Sequence, residues 1–295
     1  MGGGRLLLPI FFVFTCFVFI HTGRQQPPIA SLRTMNADKS LIQRRFTHAL
    51  SSYEAAARMQ AEVAEALLAG LAATLPRLKP DTALEIGCAT GILTEKIVAR
   101  WPGLARLVVC DLVPGFAACI AAKSPKWPLV PAFLSGDIEE LPIPGQFDCI
   151  LSSSTLQWVH DFPALAAKLA RHLNPGGILA IALYGPDNFY EIRELTGSGL
   201  SYLSLAELQD ILARHFQILL AREQRSRLHF ASPLDLLRHL QDTGVNALCS
   251  PAGWTKGRLA RFAEAYQAHF AENGGVRLTA HPLYLVAQKN GQTAP

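Results

Sequence analysis

The sequence predicts an α/β fold: a seven-stranded, mostly parallel sheet with helices on both faces and a helical cap. Three observations carry this reading. Between residues 82 and 184, five short apolar runs alternate with helical stretches. The runs are apolar throughout, as in strands covered on both faces. A loop of small residues, Gly87 to Gly91, joins the first run to a helix, at the strand end where open α/β sheets bind ligands.

Taken in order, residues 40–75 read as helix, rich in Ala, Leu, Glu and Met, and Pro76 and Pro80 close it. Thr82–Ile86 is the first strand, and Gly91 opens a helix that runs to Arg100. Arg106–Cys110 is the second strand, followed by a helix near Gly115–Lys123. Leu129–Leu134 is the third strand, and Phe147–Ser152 the fourth, with a helix near Phe162–His172. Asn174-Pro175-Gly176-Gly177 is a turn before the fifth strand, Ile178–Tyr184. Beyond it the pattern changes. Helices are expected near Asn188–Leu195 and Leu205–His215, and one long or two short strands over Phe216–Phe230. Further helices fall over Pro233–Asp242 and Thr255–Glu272, and a final strand over Leu278–Gln288.

With 295 residues, half of them hydrophobic, the chain can bury a large core, which excludes a disordered or collagen-like protein. Its net charge of +4 is uneven: residues 1–34 hold Arg5, Arg24 and Arg33 and no acid, leaving 24 bases against 23 acids from Met35 onward. A near-neutral body argues against nucleic acid as a partner. Six cysteines form neither a C-x-x-C pair nor a zinc-like cluster, so reduced thiols in a cytoplasmic protein and no metal are expected. Leu6–Ile20 is apolar but interrupted by Pro9, and shorter than the roughly 20 residues of a membrane span. Three readings stand for residues 1–34: translation from an upstream false start, a membrane anchor, or a signal peptide lacking a good cleavage site. On any of them this extension is outside the fold, and a membrane is a partner only if the anchor is real.

The first strand runs into Glu85-Ile86-Gly87-Cys88-Ala89-Thr90-Gly91. A dinucleotide requires G-x-G-x-x-G to bring its pyrophosphate to the helix N-terminus. Here the spacing is Gly87-x-Ala89-x-Gly91, with no glycine at position 92, a poor pyrophosphate cradle. Alanine at 89 leaves room but disfavours a positive φ there. Asp111, ending the second strand, suits the hydroxyls of a ribose, a feature shared by NAD enzymes.

This loop resembles the E/D-x-G-x-G-x-G turn of the Rossmann-like, class I S-adenosylmethionine methyltransferases, with Ala89 in place of the middle glycine. The resemblance implies S-adenosylmethionine as cosubstrate, with Glu85 near its methionine end and Gly87, Ala89 and Gly91 cradling it. It also implies Asp111 and Leu112 at the ribose, Asp137 accepting from the adenine amino group, the Ile138 amide at a ring nitrogen, and Ser153 as a further contact.

From Met35 to Lys289 the chain is similar to the malonyl-acyl-carrier-protein O-methyltransferases of biotin synthesis. The shared pattern includes Arg45-Phe46-x6-Tyr53-x3-Ala57-x2-Gln60, Gly136-Asp137-Ile138-Glu139-x-Leu141-Pro142 and Ser153-Ser154-x2-Leu156-Gln157-Trp158. In the tail it includes Leu240-x3-Gly244-Val245-x-Ala247, Arg261-x4-Tyr266 and Pro282-Leu283-Tyr284-Leu285. The Leu156-Gln157-Trp158 run is shared with trans-aconitate methyltransferases, so a small-molecule methyltransferase of that or the quinone type is the alternative. The resemblance implies esterification of the free carboxylate of a malonyl thioester on acyl carrier protein, or on coenzyme A, with no general base. Tyr53, Gln157, Trp158 and Arg193 are the residues expected to position the acceptor. The division implied is a helical lid over 35–80, the methyltransferase domain over 81–290 with an acceptor-binding insertion near 186–215, and a tail over 291–295. Acyl carrier protein is acidic, so a basic docking surface is expected. Residues 222–261 hold Arg222, Arg225, Arg227, Arg238, Lys256, Arg258 and Arg261 against Glu223, Asp235 and Asp242.

Overall fold

A computed structural model describes residues 38–245 and 255–291. The extension 1–34, Cys16, Cys249 and the motif residue Ala247 lie outside the described residues. The N-terminal helix expected over 40–75 is three helices: α1 (Lys39–Ala49), α2 (Tyr53–Ala56) and α3 (Arg58–Thr74). Ser51-Ser52 breaks it, because serine hydroxyls compete for helix carbonyls. The Ser52 hydroxyl donates to the carbonyl of Ala49 at 3.2 Å and to that of Asp242 at 3.0 Å.

The alternating core follows: β1 (Thr82–Ile86), α4 (Ile92–Arg100), β2 (Arg106–Asp111), α5 (Phe116–Lys123), β3 (Ala132–Ser135), β4 (Phe147–Ser153), α6 (Phe162–Arg171) and β5 (Leu173–Tyr184). The third strand starts three residues later than expected, after Pro131, which has no N–H for the ladder. The expected turn at Asn174–Gly177 is a bulge inside β5: Leu173 pairs with Phe147 and Ile178 with Cys149, and the residues between loop out.

After β5 come α7 (Tyr190–Thr196), α8 (Leu205–Leu212), β6 (Phe216–Glu223), β7 (Ser226–Phe230), α9 (Pro233–Asp242), α10 (Lys256–Phe270), β8 (Ala271–Glu272), β9 (Gly275–Ala280) and β10 (Pro282–Lys289). The main sheet has seven strands in the order β3-β2-β1-β4-β5-β10-β6, with β10 antiparallel to both neighbours. It is the expected seven-stranded, mostly parallel sheet with helices on both faces. The strand order reverses between β1 and β4, and the crevice beyond their C-terminal ends is where such sheets bind ligands.

A second sheet, β7-β9-β8, was not expected, so the cap is mixed rather than wholly helical. The final apolar stretch is two strands in two sheets, parted at His281 and Pro282, and residues 271–272 leave the helix for the small sheet. A continuous apolar run gives no sign of such a break, because both strands are buried.

Side chains alternate across the sheet. Ala83, Cys149, Leu151, Ala180 and Ala182 face α3 and α4, where Val63, Leu67, Leu71 and Ile97 cover them. Leu84, Ile86, Ile150, Leu179 and Ile181 face the other way, onto Leu165, Leu169, Leu208 and Leu212 of α6 and α8. Helix α3 is therefore one of the core layers. By the same alternation Glu85 points with Ala83 toward α4. Among the described residues no helix is long and apolar enough to cross a membrane, and no cluster of His, Cys, Asp or Glu could hold a metal ion.

Candidate functional site

The loop after β1 turns through three residues at positive φ: Gly87 (+76°), Ala89 (+43°) and Gly91 (+89°). Alanine does adopt the left-handed region here, contrary to expectation, at a cost of roughly 1–2 kcal/mol. Its amide is held by Asp111, whose Oδ2 accepts from it at 2.9 Å. The amides of Gly87 and Cys88 donate to the Cys110 carbonyl at 2.8 and 3.1 Å. Only glycine fits at 87, where a Cβ would lie 2.0 Å from the Thr155 hydroxyl oxygen.

Beside this loop is an open cavity at the C-terminal ends of β1 and β2, where such sheets bind ligands. Gly87, Ala89, Asp111, Leu112, Asp137, Ile138, Tyr53 and Trp158 all line it. Asp111 Oδ1 accepts from the Val113 amide at 2.9 Å, and each of its carboxylate oxygens keeps a lone pair for a hydroxyl. Burial pushes Asp111 up to about 6, although the amides of Val113, Ala89 and Leu112 lower it.

Two lysines that the sequence did not single out shape the far end. Lys39 of α1 reaches Asp137 Oδ2 at 2.9 Å and Glu139 Oε2 at 2.6 Å, and nearby Gln43 donates to the Leu112 carbonyl at 3.0 Å. These contacts hold α1 against the loops after β2 and β3, and Lys39, Ile42 and Phe46 line the cavity. Lys168 of α6 fixes the loop after β3 by donating to the carbonyls of Ile138 and Leu141 at 2.8 and 2.7 Å.

A second, smaller cavity lies on the Glu85 side and is lined by Tyr53, Gln60, Glu85, Gly87, Ala89 and Ser153, among others. Glu85 is fully buried and accepts a 2.6 Å hydrogen bond at Oε2 from the Thr94 hydroxyl of α4. Burial pushes its carboxyl up to about 8, and the nearby Asp111 charge adds to the rise. Glu85 Oε1, Gln60 Oε1 and Ser153 Oγ are buried without partners. Three such oxygens suit an ammonium group with its three N–H donors. The amino-acid end of S-adenosylmethionine fits here, and its adenosine fits the larger cavity.

A third cavity opens on the other side of Tyr53, beyond Ser154 at the end of β4. It is lined by Gln157 and Trp158 together with Phe46, Gln60, Tyr184, Asn188 and Tyr202. Its wall is strained: Ser154 (φ +57°) and Phe189 (φ +53°), like Ala89, are non-glycine residues in the left-handed region. Tyr53 borders all three cavities, with its ring 6.0 Å from that of Phe46, which meets Trp158 at 6.1 Å.

Not every expected residue is brought in. Arg193 is not among the residues lining these cavities; its guanidinium donates to the carbonyls of Pro186 at 2.5 Å and Asn188 at 3.4 Å. The loop after β5 thus holds both terminal nitrogens of its guanidinium outside the cavity lining. Gly91 serves as the helix start rather than as cavity wall.

Residues 84–181 match the family model of a methyltransferase domain. Over 254 residues the chain is 35% identical to the malonyl-acyl-carrier-protein O-methyltransferase of Chlorobium luteolum, covering 85% of this chain and 96% of that relative. To the enzyme of the same name from Chlorobium phaeovibrioides it is 37% identical over 254 residues, 85% of this chain and 97% of the relative. The chain belongs to the malonyl-acyl-carrier-protein O-methyltransferase family. Like other members of this O-methyltransferase family, it takes its methyl group from S-adenosylmethionine. The solved YcgJ protein from Bacillus subtilis has the same fold, with a TM-score of 0.56 at 15% identity over 77% of this chain and 99% of that one.

Proposed function

We propose that the protein esterifies the free carboxylate of a malonyl thioester carried by acyl carrier protein. The observation that carries this reading is the 35–37% identity to enzymes of that name over nearly their whole length. The arrangement of the cavities supports it. Asp111 and Leu112 would meet the ribose, Asp137 and the Ile138 amide the adenine, and Glu85, Ser153 and Gln60 the methionine end. Helices α1 and α2 act as the lid over this site.

Bound S-adenosylmethionine supplies a methyl group on a positively charged sulfur. The acceptor carboxylate forms a bond from its oxygen to that carbon while the carbon–sulfur bond breaks, and the bonding pair stays on sulfur. No proton moves. An acid with a pKa of about 4 is already ionised at neutral pH, so the chain needs no general base. Its task is to hold the carboxylate in line and exclude water, which can lower the barrier by roughly 7–11 kcal/mol. Trp158, Phe46 and Tyr53 form the dry wall between the cavities, and Gln157 fixes the strained Ser154 turn by donating to its carbonyl at 2.8 Å.

The basic docking surface contracts when its partners are counted. Arg225 pairs with Asp187 and Glu223, Arg227 with Glu272, and Arg238 with Asp235, while Arg222 lies over the Tyr284 ring. Lys256, Arg258 and Arg261 are exposed along α10, and this cluster, whatever its own contacts, is the surface we offer to the acidic carrier.

The reading is tested by incubating the protein with methyl-labelled S-adenosylmethionine and either malonyl-acyl carrier protein or trans-aconitate. Label released as a base-labile ester from the carrier is expected. Label in trans-aconitate alone would replace this reading with that of a small-acid methyltransferase.

A further inference from the structure

The third cavity has an unusual charge balance for a site that takes an anion. Among the described residues that line it there is no Lys, Arg or His. Its polar groups are the hydroxyls of Tyr53, Ser154, Tyr184 and Tyr202 and the amides of Gln60, Gln157 and Asn188. The one arginine near it, Arg193, acts at a remove: it holds the Asn188 carbonyl, and the Asn188 amide donates to the Tyr202 hydroxyl at 3.3 Å.

Tyr184 OH and Ser154 Oγ are 3.0 Å apart, and one hydrogen bond between them uses one of their two protons. The other proton is free to donate into the cavity. The Tyr53 hydroxyl has no hydrogen-bond partner among the described residues and borders both this cavity and the cosubstrate cavities. Burial drives both phenols well above the ordinary tyrosine value, so both remain donors across the working pH range.

We propose that the acceptor carboxylate is gripped by these uncharged donors, Tyr184 with Ser154 on one side and Tyr53 on the other. The only formal positive charge it meets is then the sulfonium of the bound cosubstrate. This inference rests on the malonyl reading above and deepens it. An arginine would hold the carboxylate tightly and draw electron density from the attacking oxygen, whereas hydroxyl donors orient it and leave it nucleophilic. The charge also comes and goes with the reaction. The acceptor binds well only after the cosubstrate is in place, and transfer removes both charges at once, loosening the neutral ester.

The test measures binding rather than turnover. Malonyl-acyl carrier protein is titrated calorimetrically into the protein saturated with sinefungin, whose amine carries a positive charge near the sulfonium position, and into the protein saturated with S-adenosylhomocysteine, which is neutral there. Binding about tenfold tighter or more to the sinefungin complex is expected. Tyr184→Phe and, independently, Ser154→Ala should each weaken malonyl-carrier binding about tenfold. Tyr184, which lines only the third cavity, should leave S-adenosylhomocysteine affinity unchanged when replaced, and a cooperative thermal transition reports that each variant is folded. Equal affinity for the two complexes, absence of binding to both, or wild-type affinity in both folded variants would overturn the proposal. Failure of the wild type to methylate the malonyl carrier would instead remove the reading beneath it.

Discussion

Glu85 shows how one side chain couples folding to ligand. It is buried at the end of β1, hydrogen-bonded by Thr94 on one oxygen and unpartnered on the other, with a pKa raised to about 8. Between about 4.5, its unfolded value, and about 8, the folded protein holds a proton there that the unfolded chain has lost. Stability of the ligand-free protein therefore falls as pH rises through that window, by an amount on the order of a few kcal/mol. An incoming ammonium favours the ionised carboxylate, so S-adenosylhomocysteine affinity should rise over the same window, with release of about one proton. Scanning calorimetry and buffer-dependent titration enthalpies check both slopes. Glu85→Gln should flatten both, and a variant that kept them would assign the proton elsewhere. The sequence pointed to Asp111 because an acid ending a strand suits a ribose, and to Glu85 and Asp137 through the resemblance to the methyltransferase loops. It marked Gln60 only as a motif residue and gave no sign of Tyr184 or Lys39, because the roles of all three depend on distant segments meeting. Arg193 illustrates the complementary case: a charge on an inserted helix looks fully available in the sequence, and the structure places it against the carbonyls of its own loop.

At the scale of elements, the attachment of α1 is the most accessible to experiment. Lys39 bridges Asp137 and Glu139 with about a fifth of its side chain exposed, and Gln43 adds a hydrogen bond to the Leu112 carbonyl. Such a partly exposed ion pair contributes up to about 1 kcal/mol, less as salt rises. Lys39→Ala is expected to speed S-adenosylhomocysteine dissociation about fivefold in stopped-flow measurements, with the difference shrinking in high salt. An unchanged dissociation rate would show that α1 does not close over the ligand. The strands and helices from 82 to 184 could be read because β1, β2 and β4 are each followed by a crossover helix, α4, α5 and α6, and hydrophobic period switches at those boundaries. The N-terminal helices merged into one in the sequence because the break at Ser52 rests on carbonyls its hydroxyl finds, one of them on the distant Asp242.

For the whole molecule, the mostly parallel sheet followed from local pattern, whereas its strand order and the small sheet did not. Its strands β7, β8 and β9 are short and come from one stretch that also holds two helices, so their pairing is set by the tertiary fold alone. The same stretch carries Lys256, Arg258 and Arg261. Arg258→Glu combined with Arg261→Glu should raise KM for malonyl-acyl carrier protein about tenfold and leave cosubstrate affinity as it was. Unaltered KM would move carrier docking to another face.

Strands β6 and β10 are antiparallel neighbours, with Glu223 opposite Leu283 and the Gln224 amide donating to the Pro282 carbonyl at 3.0 Å. Residues 224–281 thus leave the main sheet and return to it side by side, like the tip of an overgrown hairpin. Evolution can rewrite such a tip, or trade it for another, through a single junction and without touching the nucleotide-holding half. Recognition of the passenger and delivery of the methyl group can then change at independent rates.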